Sequence, residues 1–381
     1  MIPFNKPFII GNELKYIEQA VLSGKISGDG LFTKKCHSFF EKKYGFQKVL
    51  LTTSCTDALE MAAILCDLKP GDEVIVPSYT FVSSANAFAL RGAKIVFADS
   101  YEDNPNVDPQ SIASLITTKT KVIVPVHYAG VACDMEAIMK LAGDHNLFVV
   151  EDAAQAIDSY YIFADGTRKA LGSIGHFATF SFHETKNIIA GEGGMLVIND
   201  SSFNERAEII REKGTNRSAF FRGEINKYGW VDIGSSFLPS EIISAFLYGQ
   251  LEHLDEIQGK RISIWNRYLE GLKEIVSQGK VSSPIIPTYG DNNAHMFYIV
   301  CQSIEERNQL IAHLKNKDIH SVFHYLSLNK SEYFLKNNVE IDIPFSDKFT
   351  DRLLRLPFYF ELSESDQNLI INEILQFYES K

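Results

Sequence analysis

Seven short runs of valine, isoleucine, leucine and phenylalanine, spread over residues 48–199, restrict the folds open to this chain more than any other feature. They are 48–52, 73–78, 94–99, 122–127, 147–152, 177–183 and 193–199. Several are continuously apolar instead of alternating, the pattern of a strand covered on both faces. Between them, 56–65, 108–116 and 134–144 carry apolar residues at helical spacing. The alternation predicts an α/β fold around a mainly parallel seven-stranded sheet. From Ser240, the stretch SEIISAFLYGQLEHLDEIQGKRISIWNRYLEGLKEI keeps three- and four-residue apolar spacing and reads as a helical bridge. Beyond it, HMFYIVCQS reads as a strand and EERNQLIAHLKNK as a helix. The 381 residues are therefore expected to form a large domain over 1–250 and a smaller C-terminal α/β domain over 251–381.

Charge and cysteine usage narrow the partners. With 37 Lys and Arg against 48 Asp and Glu, the formal charge is −11, which disfavours nucleic acid and anionic membrane surfaces. A phosphate bound here must be held by local dipoles and a few placed side chains. Five scattered cysteines, Cys36, Cys55, Cys66, Cys133 and Cys301, contain no CxxC pair and point to a reducing compartment, the cytoplasm. The opening MIPFNKPFIIGNELKYIEQA lacks a basic segment followed by an apolar run, so no signal peptide is expected. No apolar stretch approaches the roughly 20 residues of a membrane span. His127, His183, His295 and His324 lack metal-ligand spacing, and no metal is expected.

The chemistry concentrates at strand ends. LFVVEDAAQA, 147–156, is a strand ending in Glu151 and Asp152, where parallel strands open a ligand crevice. Alone, Asp152 reads equally as a helix cap. Then FSFHETKNIIAGEGG, 180–194, places Lys186 just past another strand. A lysine that forms an imine with an aldehyde and a carboxylate that keeps a pyridine nitrogen protonated are the two groups pyridoxal 5′-phosphate (PLP) chemistry needs. A third element, TTSCTDALEMA, runs from a strand through small hydroxyl residues into a helix. Backbone N–H groups at such a helix start bind anions, which makes Ser54, Cys55 and Thr56 candidates for a phosphate; a plain N-cap is the competing reading. Ser181, five residues before Lys186, can add a hydroxyl. GEGG at 191–194 precedes a strand and has Leu196 where a dinucleotide fingerprint needs its last glycine.

With these residues in place, the chain resembles the DegT-type sugar aminotransferases over essentially its whole length, and within them the branch that makes 4-amino-galacto sugars. The similar strings include MIPFNKP, SGDGLFT, PGDEVIVPSYTFVSSANAF, LRGAKIVF, PVHYAGVACDM, FSFHETKN and REKGTNRS. The resemblance implies the type I PLP-dependent transferase fold, as in aspartate aminotransferase, and a homodimer with shared active sites. It implies that Lys186 forms the Schiff base, Asp152 partners the pyridinium and Gln155 contacts the ring hydroxyl. Ser54, Cys55, Thr56 and Ser181 match the phosphate cup, and Phe81 the aromatic that stacks on the ring; a core phenylalanine is the other reading of Phe81. IGSSFLPSEI, 233–242, stands where the family usually reads IGYNFRMSEI, a segment that reaches the cofactor phosphate of the neighbouring subunit. Ser236 and Leu238 replace its Asn and Arg; a hydroxyl can still donate there, but leucine cannot stand in for a guanidinium. HYLSLNK, 324–330, replaces HYxPLH and puts Ser327 and Asn329 in a segment the family places beside the substrate.

The implied reaction passes an amino group from L-glutamate to a 4-keto-6-deoxy sugar nucleotide, dTDP-4-keto-6-deoxy-D-glucose giving dTDP-4-amino-4,6-dideoxy-D-galactose. Related enzymes give the gluco epimer or act at C3. Substrate-facing candidates are His183, Arg217, His295, Tyr298, His324 and Tyr325; an exposed surface arginine is the alternative for Arg217. A subgroup with histidine at the lysine position dehydrates sugars, and Lys186 favours amino transfer instead. A catalytically idle PLP-fold sensor would need a lost lysine or an added DNA-binding module, and the sequence has neither.

Overall fold

The computed structural model describes residues 1–379. Its strands are β1 (Lys48–Thr52), β2 (Glu73–Pro77), β3 (Lys94–Ala98), β4 (Thr120–Ile123), β5 (Phe148–Asp152), β6 (Tyr160–Ile162), β7 (Arg168–Ala170), β8 (Phe177–Ser181), β9 (Gly194–Ile198), β10 (Tyr298–Val300) and β11 (Leu353–Arg355). Seven of them form one sheet in the order β1-β9-β8-β5-β4-β2-β3. Pairing is parallel from β8 through β5, β4 and β2 to β3, while β9 runs antiparallel to both β8 and β1. The seven expected runs are these seven strands. β4 stops at Ile123, short of the expected 127, because Pro125 has no N–H to donate to the ladder.

Successive residues of each strand enter opposite cores. Leu51, Ile75, Ile123 and Val149 pack on one face of the sheet. Leu50, Val74, Val122 and Val150 pack on the other. Both faces are dry, and this is why the runs are continuously apolar.

The region expected as one long helix is three: Glu241–Leu251, Leu254–Gly271 and Lys273–Ser277. The middle one carries the bridge. Its Leu254 and Ile257 join the core beneath the sheet, whereas Ile264, Trp265 and Tyr268 join a separate C-terminal core. The hairpin-like pair of β10 and β11 and the helices Ile304–Lys315 and Glu364–Glu379 surround that second core. The chain start also belongs there. Ile2 pairs with Ile319, the Phe358 N–H donates to the Phe4 carbonyl, and the Phe8 ring stacks 3.9 Å from Phe360. We propose that the division between a large and a small body falls along Leu254–Gly271, with the first residues counted in the small one. Among the described residues no helix is long and apolar enough to cross a membrane.

Candidate active site

Asp152 ends β5 at the carboxyl edge of the sheet and is buried. Its Oδ2 accepts from Ser84 Oγ at 2.6 Å and its Oδ1 from the Ala154 N–H at 3.1 Å. Burial holds its pKa above the ordinary range, against the Ser84 and Ala154 hydrogen bonds and the charge of Lys186. Its neighbour Glu151 points to the opposite face, as alternation in a strand requires. There it binds His127 Nε2 at 2.9 Å and the N–H groups of Gly172, Ile174 and Gly175. Of the two carboxylates at the strand end, only Asp152 belongs to the site.

Lys186 lies in the loop between β8 and β9. The loop is closed by the Phe182 N–H on the Gly193 carbonyl, the Lys186 N–H on His183 and the Ala190 N–H on Phe182. Burial lowers the amine's pKa, Cys55 and Asp152 oppose that, and Arg355 adds to it. Asn187, the next residue, anchors the loop by donating to Gln258 Oε1 and the Asn293 carbonyl, both at 2.9 Å.

The helix Cys55–Leu65 starts beside these groups. Ser54 caps it, Oγ accepting from the Asp57 N–H at 3.1 Å, and Thr56 Oγ1 lies 2.8 Å from Ser83 Oγ. The first-turn N–H groups of a helix have no earlier carbonyl to bind, so this end is electropositive. Gly194 packs directly on it. A Cβ there would sit 2.2 Å from the Ser54 carbonyl carbon, so only glycine lets β9 approach. Gly194 pairs with Ser181 of β8, which brings that hydroxyl to the same end of the sheet. Ser181 Oγ accepts from the His183 N–H at 3.3 Å.

The facing wall is aromatic and joined by hydrogen bonds. Gln155 Oε1 accepts from the Ala129 N–H at 2.6 Å, and its Nε2 donates to Tyr325 OH at 2.9 Å. The Tyr325 ring stacks on His324 at 3.5 Å, and His324 Nδ1 lies 2.7 Å from Tyr128 OH. Phe81, 55 % exposed, stands 6.1 Å from Tyr325. His295 is buried, with Nδ1 2.8 Å from Asn187 Oδ1, and Tyr298 of β10 lies 5.9 Å from Tyr128. His183 is half-buried and 3.0 Å from Thr185 Oγ1.

Ser236 and Arg217 both meet Glu212, and the carbonyl of the adjacent Phe237 accepts from the Thr53 N–H, next to Ser54. Ser236 is exposed and bridges Glu212, and Arg217 sits 3.7 Å from the Glu212 carboxylate. Both line a cleft of about 1090 Å³ that also presents Lys34, Lys48 and Arg211 but not Lys186. Ser327 and Asn329, expected beside the substrate, are buried in protein contacts. Ser327 Oγ lies 2.7 Å from Thr350 Oγ1, while Asn329 accepts from Ser78 Oγ at 2.7 Å and donates to the Ile341 carbonyl. Asn329 thus ties the loop to Ser78, just past the end of β2, and Ser327 ties it to the helix Pro344–Arg352.

Three imidazoles, His295 buried and His37 and His324 half-buried, set a pH response. His37, His295 and His324 are held well below the ordinary imidazole pKa, first by burial and then by neighbouring cations: Arg211 for His37, Lys186 for His295, Arg355 for His324. A depressed imidazole binds fewer protons folded than unfolded, so its stabilisation is complete above the unfolded pKa near 6.5 and is lost as pH falls toward the folded value. Thermal melts of the apoprotein should therefore drop between pH 7.5 and 5.5, by up to about 1.4 kcal/mol per pH unit for each imidazole. A flat profile over that range would contradict the neutral assignment.

Comparison with known proteins agrees along the full length. The chain is 32 % identical to GDP-perosamine synthase of Escherichia coli O157:H7, covering 100 % of this chain and 99 % of the relative. It is 31 % identical to the spore coat polysaccharide biosynthesis protein SpsC of Bacillus subtilis (strain 168), covering 98 % and 96 %. Among solved structures, Spr1654 from Streptococcus pneumoniae in its PLP form superposes with a TM-score of 0.90 at 25 % identity, covering 100 % and 99 % of the two chains. The model of the DegT/DnrJ/EryC1/StrS aminotransferase family matches residues 7–375, and the chain belongs to that family.

Proposed function

We propose that this enzyme transfers an amino group from L-glutamate to the keto carbon of a 4-keto-6-deoxy sugar nucleotide. The acceptor is dTDP-4-keto-6-deoxy-D-glucose and the product the 4-amino galacto sugar. The observation that carries the reading is the convergence of Lys186, Asp152 and the start of the Cys55 helix at one edge of the sheet. The resemblance of the 4-amino-galacto branch supports the acceptor, and the name GDP-perosamine synthase links a relative to a nucleotide-bound sugar.

The cofactor is PLP, and the residues present suit it. The helix start, Ser54 and Ser181 come together as an anion cradle because Gly194 has no Cβ to meet the Ser54 backbone. A depressed lysine amine and a buried carboxylate stand beside it. When bound, PLP withdraws electrons from the reacting carbon and so acidifies its proton. The protein's own groups do the rest. Cys55 and Thr56 N–H groups with the Ser54 and Ser181 hydroxyls hold the phosphate. Asp152 holds the proton on the pyridine nitrogen, and Gln155, fixed at both ends of its amide, faces the ring hydroxyl. Phe81 covers the ring. Lys186 Nζ takes the proton from the donor's Cα and later returns one to the sugar carbon, a task its lowered pKa favours.

The test incubates the PLP form with L-glutamate and a panel of dTDP- and GDP-linked keto sugars, and identifies products by mass spectrometry and NMR. The reading expects the 4-amino galacto sugar. A C3-amino product, or robust turnover only on another keto sugar, overturns it.

We also propose that the enzyme is a cytoplasmic homodimer whose sites are shared. Ser236 and Arg217 are exposed and line a cleft that does not include their own Lys186, as groups serving a partner's site would. Ser236→Glu would then set a negative charge against the partner's cofactor phosphate, and Lys186→Ala removes the base, so each variant alone should be nearly inactive. In mixed dimers one site carries both lesions and the other neither. With about half the dimers mixed, roughly a quarter of wild-type turnover should return on co-refolding. Heterodimers without recovery, or an active Ser236→Glu enzyme, would sink the shared site.

A further inference from the structure

The Asp152 carboxylate accepts two hydrogen bonds among the described residues, and one comes from a side chain that the reading above leaves without a task. Ser84 Oγ, fully buried, donates to Oδ2 at 2.6 Å, and the Ala154 N–H donates to Oδ1. A second buried hydroxyl stands behind the first, with Thr80 Oγ1 2.9 Å from Ser84 Oγ. A tight turn brings the two together: the Ser84 N–H donates to the Phe81 carbonyl at 3.1 Å as the helix Ser83–Ala89 begins. The neighbouring Ser83 turns the other way, to Thr56. Distance alone leaves the direction of the Thr80–Ser84 bond open, but the chemistry of the three groups fixes it. An ionised carboxylate only accepts, and a serine hydroxyl carries a single proton. Ser84 gives that proton to Asp152, so it can only accept from Thr80. The chain runs one way, from Thr80 through Ser84 to Asp152, and each bond polarises the next.

A carboxylate beside a pyridinium competes with the ring nitrogen for one proton. Burial raises the Asp152 pKa, which favours the carboxylate, and the Ser84 hydrogen bond is the first of the contacts that oppose it. The other ionisable groups around Asp152 are Lys186, His127, the Cys55 thiol and Tyr325, and none of them hydrogen-bonds to its carboxylate among the described residues. We propose that Thr80 and Ser84 are positioning residues, a relay of two hydroxyls that keeps Asp152 ionised so that the proton stays on the cofactor's pyridine nitrogen. This rests on the reading of Asp152 as the partner of that nitrogen.

Two links in series make a distinctive test. In apoprotein carrying 13C-labelled aspartate, the Asp152 carboxyl signal is assigned by its loss in Asp152→Asn and then titrated. Ser84→Ala should raise its midpoint, and Thr80→Val should raise it less. With Ser84 already alanine, Thr80→Val should add nothing, because the link between them is gone. Thr80→Ser keeps the hydroxyl and should titrate as the wild type does; a packing role would make it worse than the size-matched valine. With 15N-labelled PLP bound, the ring nitrogen should lose its proton at lower pH in Ser84→Ala than in the wild type. Proton abstraction from the donor should slow roughly tenfold in Ser84→Ala and about threefold in Thr80→Val. An Asp152 midpoint unmoved by Ser84→Ala, a larger disturbance from Thr80→Ser than from Thr80→Val, or an equal effect of Thr80→Val with and without Ser84 would each overturn the relay. Failure of the underlying reading looks different: a ring nitrogen unprotonated in the wild type refutes Asp152 as its partner, whereas a protonated nitrogen indifferent to both variants refutes the relay alone.

Discussion

Lys186→Ala abolishes amino transfer, with turnover expected to fall by roughly four orders of magnitude or more. The size follows from the two tasks proposed for one amine, covalent attachment of the cofactor and proton transfer at the donor's Cα. No nearby group can substitute. His295 and His324 are engaged with Asn187 and Tyr128, and the Cys55 thiol is pushed far up by burial and by Asp152. The fold should survive. The loop is closed by backbone hydrogen bonds at Phe182, Lys186 and Ala190 that alanine keeps, so the melting temperature should stay within a few degrees. Single-turnover absorbance with L-glutamate checks the loss, and retention of a hundredth of the wild-type rate would contradict the assigned role.

Asp152→Asn is the second large effect. Asparagine preserves shape and can still accept from the Ala154 N–H, with the Ser84 hydroxyl turned to accept from its amide NH2, but it carries no charge to hold a proton on a ring nitrogen. Preorganised charge facing developing charge is worth about two to three orders of magnitude in rate. We expect proton abstraction from the donor to slow by about 100- to 1000-fold, with cofactor still bound. Ser84→Ala should act in the same direction but less, since it removes a single hydrogen bond to the carboxylate. Near-normal turnover of Asp152→Asn, measured with a Cα-deuterated donor to expose the proton step, would remove Asp152 from the mechanism.

The sheet was legible because burial on both faces leaves a continuous apolar run, visible without knowing the pairing. Direction and order were not legible, since β9 runs antiparallel with the same composition as its parallel neighbours. The break at Glu252 and His253 escaped because apolar spacing continues across it while the core it feeds changes. In the candidate site, Lys186, Asp152 and the Cys55 helix stand out at strand ends, where position carries chemical meaning. Ser84 does not, because a serine near a helix start looks like any cap until its partner is known. Ser327 and Asn329 misled as substrate neighbours because linear adjacency to His324 and Tyr325 says nothing of which way a loop turns.

The most direct test of the account fixes the cofactor where it is held. Borohydride should bleach the yellow enzyme and leave the pyridoxyl group on a single peptide, the one spanning Lys186, as located by digestion and tandem mass spectrometry. Labelling on any other lysine would contradict the site from which the rest of the account is built.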